Sequence, residues 1–307
     1  MNFSSLYAPS FAAAYESTSH AWRIYFGIVS TIGVIGNLMV IRAFFQVDEI
    51  KKLMGPTSVL IISLASLDLA ASIIMIPTMI FSEFFRNFLN LPIICQLVSS
   101  FYFILYAGGA SAWHMVAIAA DRYLAITKSV WHRAHYSIKK VLAMCAFAHF
   151  IGSTWTVYLC FFHVRIDGVC YYYMKWHNKY LKYLVLTELT IIIIIPSICL
   201  LFCYGSIFNS LSKSNSSIAK KSQVKVVQTM FIVFLVFLAC WSPNFIWYSL
   251  WAWDITVFSV ETDRYLVNIT LTTVYLNSCL NPIIYPLSIK PFRKAMFPNA
   301  LLRGTKN

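Results

Sequence analysis

Charged residues are scarce in this sequence of 307 residues. Asp, Glu, Lys and Arg together make up 11% of the chain, whereas hydrophobic residues make up 59%. Soluble domains carry roughly a quarter charged residues, so this composition excludes an ordinary water-soluble fold. Several apolar runs of about 20 residues indicate helices that cross a lipid bilayer.

Patterns that would indicate other functions are also missing. The sequence has no CxxC pair, no Cys/His spacing typical of a metal site, and no internal repeat of the kind found in many transporters. A membrane enzyme would need a nucleophile or a metal cluster. His114 and His149 fall on separate apolar spans, and we expect them to stand apart as packed, hydrogen-bonded residues. These absences argue against a transporter and against an enzyme.

The apolar spans organise the chain, and they lie at residues 22–45, 56–84, 91–127, 141–162, 181–211, 223–253 and 264–287. We predict an all-α membrane protein with a seven-transmembrane helix bundle and a short amphipathic C-terminal helix. A single domain covers residues 1–307, with an N-terminal segment at 1–21, the bundle at 22–287, and an interfacial helix with a short tail at 288–307. The last segment alternates basic and apolar residues, as helices at a membrane surface do.

Positive charge is distributed unevenly about these spans. Of the 24 Lys and Arg residues, 17 fall on one side and 7 on the other, and 17 plus 7 accounts for all of them. Cytoplasmic loops carry the excess of Lys and Arg, so we expect an extracellular N-terminus and a cytoplasmic C-terminus in the plasma membrane. Topology and contact with membrane lipids explain the net charge of +13, and we expect no nucleic-acid partner.

Two ionic features lie within or at the end of apolar spans. Asp121-Arg122-Tyr123 ends the third span, where an arginine is costly unless its charge has a function. Asp68 lies in the middle of the second span, and one explanation is a protonated or hydrogen-bonded structural acid. The alternative is a proton site or a cation site such as one for Na⁺, with further oxygens from Ser111, Asn277, Ser278 and Asn281.

Three prolines, Pro196, Pro243 and Pro282, interrupt otherwise continuous helical patterns. Each removes one backbone hydrogen bond and permits a kink. Membrane helices tolerate proline, so plain packing is one explanation. Together with the buried polar residues, the prolines favour a bundle with two packings close in energy, which a molecular switch requires.

These motifs resemble those of rhodopsin-like (class A) G-protein-coupled receptors across nearly the whole chain. They occur in the family's order, one on each span, as Gly36-Asn37, Leu64-Ala65-Ser66-Leu67-Asp68, Asp121-Arg122-Tyr123, Trp155, Pro196 with Tyr204, Cys240-Trp241-Ser242-Pro243, and Asn281-Pro282-Ile283-Ile284-Tyr285. The resemblance implies a receptor that binds an extracellular ligand and activates a heterotrimeric G protein. It also implies that the protein performs no covalent chemistry.

The resemblance further assigns roles to particular residues. Asp121 would hold Arg122 at rest, and Arg122 would then be freed to meet the G protein. Tyr204 and Tyr285 would swing inward to join it, and the same switch includes Tyr123, Asn281 and Pro282. The sixth span begins at Gln223, without the acid that many relatives pair with the arginine. A weaker resting contact and some basal activity are therefore expected.

Further roles implied by the resemblance concern the middle of the bundle and its outer side. Trp241, with Phe237 below it, would transmit ligand contact toward the cytoplasm. The family's sodium pocket matches Asp68, Ser111, Asn277 and Asn281. Cys95 and Cys170 would form a disulfide, which also fits their expected positions on the oxidising outer side. Asn2 begins a glycosylation sequon.

Pocket positions restrict the class of ligand. Ile104 occupies the place of the aspartate in biogenic-amine receptors, which argues against an ordinary monoamine. Tyr275 stands where opsins carry the retinal-linking lysine, and the seventh span has no lysine, which excludes a Schiff-base chromophore. Aromatic residues of the outer loops are either a membrane-interface belt or a platform for a peptide.

Glu188 lies two turns outward from Pro196, at pocket depth. It is either a glutamate near the interface, hydrated or paired with Lys182, or a counter-ion for a basic group of the ligand. The facing side of the sixth span contributes Trp241, Asn244, Phe245 and Tyr248.

We expect a peptide ligand. The alternatives are a small organic or lipid ligand, or an opsin-related receptor without the retinal-linking lysine. Serines among the basic residues between the fifth and sixth spans are either phosphorylation sites or part of a solvated linker. A receptor kinase and arrestin are further expected partners. No cofactor is expected apart from an allosteric Na⁺.

Overall fold

A computed structural model describes residues 7–9, 20–50, 55–80, 93, 96–97, 102–135, 137–166, 169–212, 218–253, 255 and 260–297. Its long helices are α1 (His20–Gln46), α2 (Thr57–Ile80), α3 (Tyr102–Thr127), α5 (Ile138–Thr156), α6 (Met174–Leu189), α7 (Ile195–Ser212), α8 (Ile218–Ala252) and α9 (Val260–Ser288). The helices α4 (Ser129–His135) and α10 (Lys290–Met296) are short, and the strands are β1 (Tyr7–Pro9), β2 (His163–Ile166) and β3 (Val169–Tyr173).

The long helices correspond to the seven predicted spans. Among the described residues, six helical stretches are long and apolar enough to cross a membrane, at 21–46, 57–76, 102–127, 138–161, 182–212 and 224–252. The seventh helix, α9, is 29 residues long and packs against α1, α2 and α8. It is richer in polar residues because it contributes Asn277 and Asn281 to the bundle interior. Helices satisfy their own backbone hydrogen bonds, which the lipid interior demands.

The central helix of the bundle is α3. In its apolar window 67% of the residues are buried, compared with 28% to 50% in the other five windows. It contacts α2, α5, α7 and α8. Its buried residues extend from Ile104 at the outer end to Arg122 at the inner end, so one helix connects the predicted ligand pocket to the predicted switch.

Two glycines allow neighbouring helices to approach α3. A Cβ atom on Gly108 would lie 2.0 Å from the Trp241 ring, so only glycine lets this tryptophan pack against α3. A Cβ atom on Gly152 of α5 would lie 2.7 Å from the backbone nitrogen of Ala110. The backbones of α3 and α5 therefore touch, as small residues permit between membrane helices.

The proline interruptions have identifiable compensations. Pro282 has no N–H group, so it leaves the Ser278 carbonyl, four residues earlier, without its helical partner. Asn37 Nδ2 of α1 donates to this carbonyl at 2.8 Å. Pro196 follows a π-helical turn at Thr190–Ile194, which separates α6 from α7 within the predicted fifth span. Arg293 of α10 donates to the carbonyls of Pro286 and Leu287 and so caps the end of α9.

The connections differ from the sequence expectation in several places. The segment between the third and fourth predicted spans, to which the sequence analysis assigned no helix, contains the short helix α4. The fifth-span helix begins at Met174 and the sixth at Ile218, both several residues earlier than predicted. Antiparallel strands in the order β1-β3-β2 form a small sheet from the N-terminal segment and the predicted outer loop. Strand pairing depends on distant backbone segments, which periodicity within one apolar span does not reveal.

Candidate functional site

At the inner end of α3, Arg122 and Asp121 form a buried ion pair. Arg122 Nη2 lies 2.6 Å and Nε 3.0 Å from Asp121 Oδ2. The Asp121 side chain is fully buried and Arg122 is 4% exposed. Removing one partner of such a pair would leave an uncompensated buried charge, which costs about 3–5 kcal/mol. The two charges are therefore stable in this position only together.

Two residues that the sequence did not indicate complete this contact. The Thr57 hydroxyl, at the start of α2, donates to Asp121 Oδ2 and accepts from Arg122 Nη2. His132 of α4 places Nε2 2.9 Å from Asp121 Oδ1. We call Thr57, Asp121, Arg122 and His132 the inner contact. The sequence did not identify His132, because no helix was expected in the segment that forms α4. In the structure, α4 brings His132 back into contact with Asp121 of α3.

The other predicted switch residues surround the inner contact. Tyr123 packs against Phe202 of α7, with ring centroids 5.9 Å apart. Tyr204 is buried against Phe231 of α8 at 5.2 Å. Tyr285 stacks on Phe292 of α10 at 5.5 Å, and its hydroxyl has no hydrogen-bond partner among the described residues. The Gln223 side chain lies outside the described residues.

A small cavity lies around Asp68 in the middle of the bundle. Its volume is about 10 Å³, and it is lined by Asp68, Ala71, Ile104, Ala107, Gly108, Ser111, Trp241, Val274, Tyr275, Asn277 and Ser278. Asn281 Nδ2 donates to Asp68 Oδ2 at 2.8 Å. In the described part of the chain, Ser111 Oγ and Asn281 Oδ1 are buried without a hydrogen-bond partner. A carboxylate with unpartnered oxygens nearby fits a hard cation such as Na⁺.

Trp241 connects this cavity to the rest of α8. Its ring stacks on Phe237 at 5.8 Å on one side and packs against Phe245 at 6.0 Å on the other. The space left by Gly108 seats the ring against α3. Trp241 therefore contacts Phe237, Phe245 and α3, and its role in transmitting ligand contact stays a prediction.

Glu188 lies in the outer half of the bundle without a positive partner. It is 3% exposed, and its Oε2 accepts a long hydrogen bond of 3.3 Å from the Tyr158 hydroxyl. Its Oε1 has no hydrogen-bond partner among the described residues. The alternative pairing with Lys182 is wrong, because Lys182 Nζ lies over the Trp253 ring at 5.5 Å.

The remaining predicted pocket residues fall into two groups. Ile104, Tyr275 and Trp241 line the Asp68 cavity, so the structure brings them together. Asn244 instead contacts α9 through Thr270 Oγ1 at 3.4 Å. Tyr248 stacks on Trp251, with ring centroids 5.8 Å apart.

The expectation that His114 and His149 stand apart is wrong. Their rings lie 5.0 Å apart, and both Nε2 atoms contact the Ser63 hydroxyl. The sequence could not reveal this pair, because 34 residues and a change of direction between α3 and α5 separate the two histidines. Trp155, singled out as a family motif, has no hydrogen-bond partner for its Nε1 among the described residues.

Some predicted sites lie outside what the structure describes. Asn2 and Cys95 are not among the described residues, and only the backbone of Cys170 is described, in β3. The predicted disulfide and the glycosylation site therefore remain predictions. Within the described ranges, no group of three or more His, Cys, Asp or Glu residues is placed to hold a metal ion.

Comparison with known proteins gives relatives over most of the chain. The human galanin receptor type 1 is 27% identical over 281 residues, which cover 89% of this chain and 79% of that receptor. The melatonin receptor type 1A of Phodopus sungorus is 28% identical over 288 residues, covering 89% and 78% of the two chains. The C-C chemokine receptor type 1 of Macaca fascicularis is 23% identical over 289 residues, covering 88% and 76%.

The family comparison covers the helix bundle almost completely. The sequence profile of the 7 transmembrane receptor (rhodopsin family) matches residues 36–285, from the Gly36-Asn37 motif to Tyr285. This range includes all seven predicted spans except the outer part of the first and the end of the last. The chain belongs to the rhodopsin family of seven-transmembrane receptors, and it is a G-protein-coupled receptor and not an enzyme.

Proposed function

We propose that this receptor binds a peptide carrying a basic group, and that Glu188 receives this group. The observation that carries the proposal is a buried carboxylate with one oxygen unpartnered and no ion pair among the described residues. Burying a charged group without a partner is costly, so a cationic ligand group gains a strong interaction there. The pocket walls, which include Trp241, Phe245 and Tyr248, are aromatic and suit the apolar part of such a ligand.

Similarity to other receptors supports a peptide without deciding the class. The galanin receptors among the relatives are named for a peptide. The melatonin receptors show similar identity and favour the alternative of a small organic ligand. A lipid ligand and an opsin-related receptor lacking the retinal-linking lysine remain the further alternatives.

At the inner face, the proposed switch is the release of Arg122 from the inner contact. In the resting state Asp121, Thr57 and His132 surround the arginine and its partner carboxylate. Activation would free the guanidinium to meet the G protein, while Tyr204 and Tyr285 move inward to join it. The unpartnered Tyr285 hydroxyl supports this role, because an activated arrangement offers it a hydrogen bond that the resting one does not.

The same proposal assigns the central cavity to Na⁺. Asp68, Ser111, Asn277 and Asn281 would hold the ion, which would supply positive charge beside the carboxylate. The unpartnered oxygens of Ser111 and Asn281 support this assignment. The ion would stabilise the resting arrangement, since it links α2, α3 and α9 around one centre.

The remaining proposals concern topology and partners. The distribution of Lys and Arg supports an extracellular N-terminus and a cytoplasmic C-terminus in the plasma membrane. Receptor kinase and arrestin would act at the cytoplasmic face. The basic helix α10 would contact anionic membrane lipids, because Lys290 and Lys294 are exposed on it.

The test uses membranes that contain the full-length receptor and a heterotrimeric G protein. A tissue extract of the source organism stimulates nucleotide exchange, and half of each extract is treated with protease beforehand. We expect proteolysis to abolish the stimulation. Stimulation that survives proteolysis would contradict a peptide ligand and favour a small organic or lipid molecule.

Glu188→Gln tests the residue itself, since it keeps the size of the side chain and removes the charge. We expect the extract concentration for half-maximal exchange to rise by roughly tenfold to a hundredfold, as loss of a buried charge pair of about 1.4–2.8 kcal/mol predicts. Leu186→Ala, on the exposed face of the same helix, is the control and leaves the concentration unchanged. Equal responses of wild type and Glu188→Gln would overturn the assignment.

A further inference from the structure

A cluster of polar side chains joins three helices at a place that neither the inner contact nor the Asp68 cavity includes. Ser63 Oγ of α2 lies 2.9 Å from His114 Nε2 of α3 and 3.1 Å from His149 Nε2 of α5. The Tyr106 hydroxyl of α3 lies 2.7 Å from His149 Nδ1. We call Ser63, Tyr106, His114 and His149 the histidine junction.

Close backbone packing holds the junction together. Gly152 lies one turn from His149 on α5, and a Cβ atom there would lie 2.8 Å from the Tyr106 carbonyl oxygen of α3. His114 is fully buried. Ser63, Tyr106 and His149 are half-buried, and the four side chains meet where α3 and α5 are in direct contact.

When both rings are neutral, the hydrogen bonds of the junction have a single possible assignment of donors and acceptors. His114 Nδ1 lies 2.8 Å from the Ala110 carbonyl oxygen, which can only accept, so Nδ1 carries the hydrogen. In a neutral imidazole the other nitrogen then accepts. The Ser63 hydroxyl therefore donates to His114 Nε2.

The direction continues through the second histidine. Ser63 has a single hydrogen, which it gives to His114, so His149 Nε2 must donate to the Ser63 oxygen. His149 Nδ1 then accepts from the Tyr106 hydroxyl. Every group is satisfied, with the two histidines in opposite tautomers.

In the described part of the chain, a positive charge on either ring would have no anionic partner. On α3 and α5, the titratable groups that face the junction are Tyr102, stacked on Tyr106, and Cys145. On α2, the nearest acid in sequence is Asp68, which is bonded to Asn281 of α9 instead. Among the described residues, neither ring forms an ion pair with a carboxylate.

We propose that the histidine junction is a proton-sensitive connection that holds α3 against α2 and α5 only while both imidazoles are neutral. A proton on His114 makes Nε2 a donor, and Ser63 then faces N–H groups from both rings. The added charge is costly in apolar surroundings without a partner. Acid therefore favours conformations in which the junction opens.

This inference rests on the proposed role of Arg122 for its effect on signalling. The Ser63–His114 contact joins α2 to α3, and Thr57, six residues before Ser63 on α2, joins the same helices at the inner contact. When the junction opens, α2 and α3 lose the Ser63–His114 contact but keep the Thr57 hydrogen bonds near Arg122. We therefore expect acid to make release of Arg122 easier and to raise basal nucleotide exchange.

The first test measures the thermal unfolding of the purified full-length receptor in lipid nanodiscs, without a G protein. Lowering the pH from about 7.5 to about 5.5, across the range in which histidine titrates, should lower the Tm of the wild type by about 3 °C or more. The double variant His114→Gln/His149→Gln keeps an amide donor and acceptor at each position but cannot titrate there. The Tm of this variant should fall clearly less than that of the wild type over this range, because its remaining histidines lie outside the junction.

The control is His135→Gln, which removes an exposed histidine on α4 and should keep the wild-type pH dependence. Equal pH shifts in the wild type and in the double variant would overturn the proposal. If the double variant does not fold, the second test decides, because it uses only the wild-type receptor.

The second test is nitrogen-15 NMR of histidine-labelled wild-type receptor at about pH 7.5. We expect one hydrogen-bonded neutral histidine protonated at Nδ1, the less common tautomer. Absence of this signal would overturn the proposal. Neither test involves a G protein, so their failure leaves the role of Arg122 intact, whereas full nucleotide exchange by Arg122→Ala would contradict that role alone.

Discussion

The inner end of the bundle and its outer half treat buried charge in opposite ways. At the inner contact, Asp121 is bound by Arg122, Thr57 and His132. Arg122 in turn donates to Asp121 and Thr57. In the outer half, Glu188 is as deeply buried but has only one long hydrogen bond. A closed network suits a resting contact that must be broken, and an open carboxylate suits a site that a ligand completes.

The helix α3 joins the outer half of the bundle to the inner contact. Between them lies α3, which carries Gly108 against Trp241 and, four turns further in, the inner contact. Packed helices move as units, so under the proposed mechanism a small displacement at the outer end would reach Arg122 through α3 itself. The following predictions test each half and the connection between them, beginning with the largest effect.

Arg122→Ala should have the largest effect, because it removes the only charge that the proposed switch presents to the G protein. We expect extract-stimulated nucleotide exchange to fall by at least about tenfold, equivalent to 1.4 kcal/mol or more. Arg133→Ala, an exposed arginine on α4, is the control. Full stimulation of a folded Arg122→Ala receptor would show that the inner contact is structural only.

Gly108→Ala should disturb the connection between the halves. The added methyl group would lie 2.0 Å from the Trp241 ring, so either the ring or α3 must shift. We expect a destabilisation of about 1–3 kcal/mol, measured as a lower Tm. Gly205→Ala is the matched control, because a Cβ atom there meets nothing within 4 Å. A Gly108→Ala receptor as stable as the control would contradict close packing of Trp241 on α3.

Thr57→Val tests the resting side of the comparison while preserving the shape of the side chain. It removes the hydroxyl that bonds both Asp121 and Arg122. A net loss of about 0.5–1.5 kcal/mol should raise basal nucleotide exchange by roughly twofold to tenfold. Ser66→Ala removes a hydroxyl of α2 that bonds only within its own helix and should leave basal exchange unchanged. Unchanged exchange in Thr57→Val would exclude a restraining role for this hydroxyl.

Ser111→Ala should produce the smallest effect, since it removes one of several oxygens around the central cavity. Na⁺ that binds the folded receptor raises its Tm, and we expect the variant to need roughly threefold more NaCl for the same rise. Choline chloride at equal ionic strength corrects for salt effects. Ser30→Ala, whose hydroxyl bonds within α1, is the control. Equal responses to NaCl and choline chloride in the wild type would contradict a sodium site.

Much of the architecture could be predicted because the membrane constrains it. Seven apolar spans required helices, since a lipid-exposed backbone must satisfy its own hydrogen bonds. The neighbours Asp121 and Arg122 needed no knowledge of the fold to be paired. Asp68 and Asn281 were also placed together, but through the family resemblance and the need of a buried acid for a partner.

The helix ends and the connections were predicted less well. The fifth-span helix extends outward to Met174 through polar and aromatic residues, which hydropathy does not distinguish from a loop. The sheet of β1, β3 and β2 joins backbone segments that are far apart in sequence. Helix α4 is short and basic, and nothing in its periodicity identifies it.

By itself, the sequence determined the class of protein and the order of its helices. It also identified the polar and charged residues within apolar spans, which need a partner there. Tertiary structure decided which of those residues meet. Thr57 and His132 join Asp121 at the inner contact. His114 joins His149 through Ser63, beside the place where Gly152 lets α5 approach α3. A hydrogen bond depends on distances of tenths of an ångström between side chains, and such distances follow from packing and not from position in the chain.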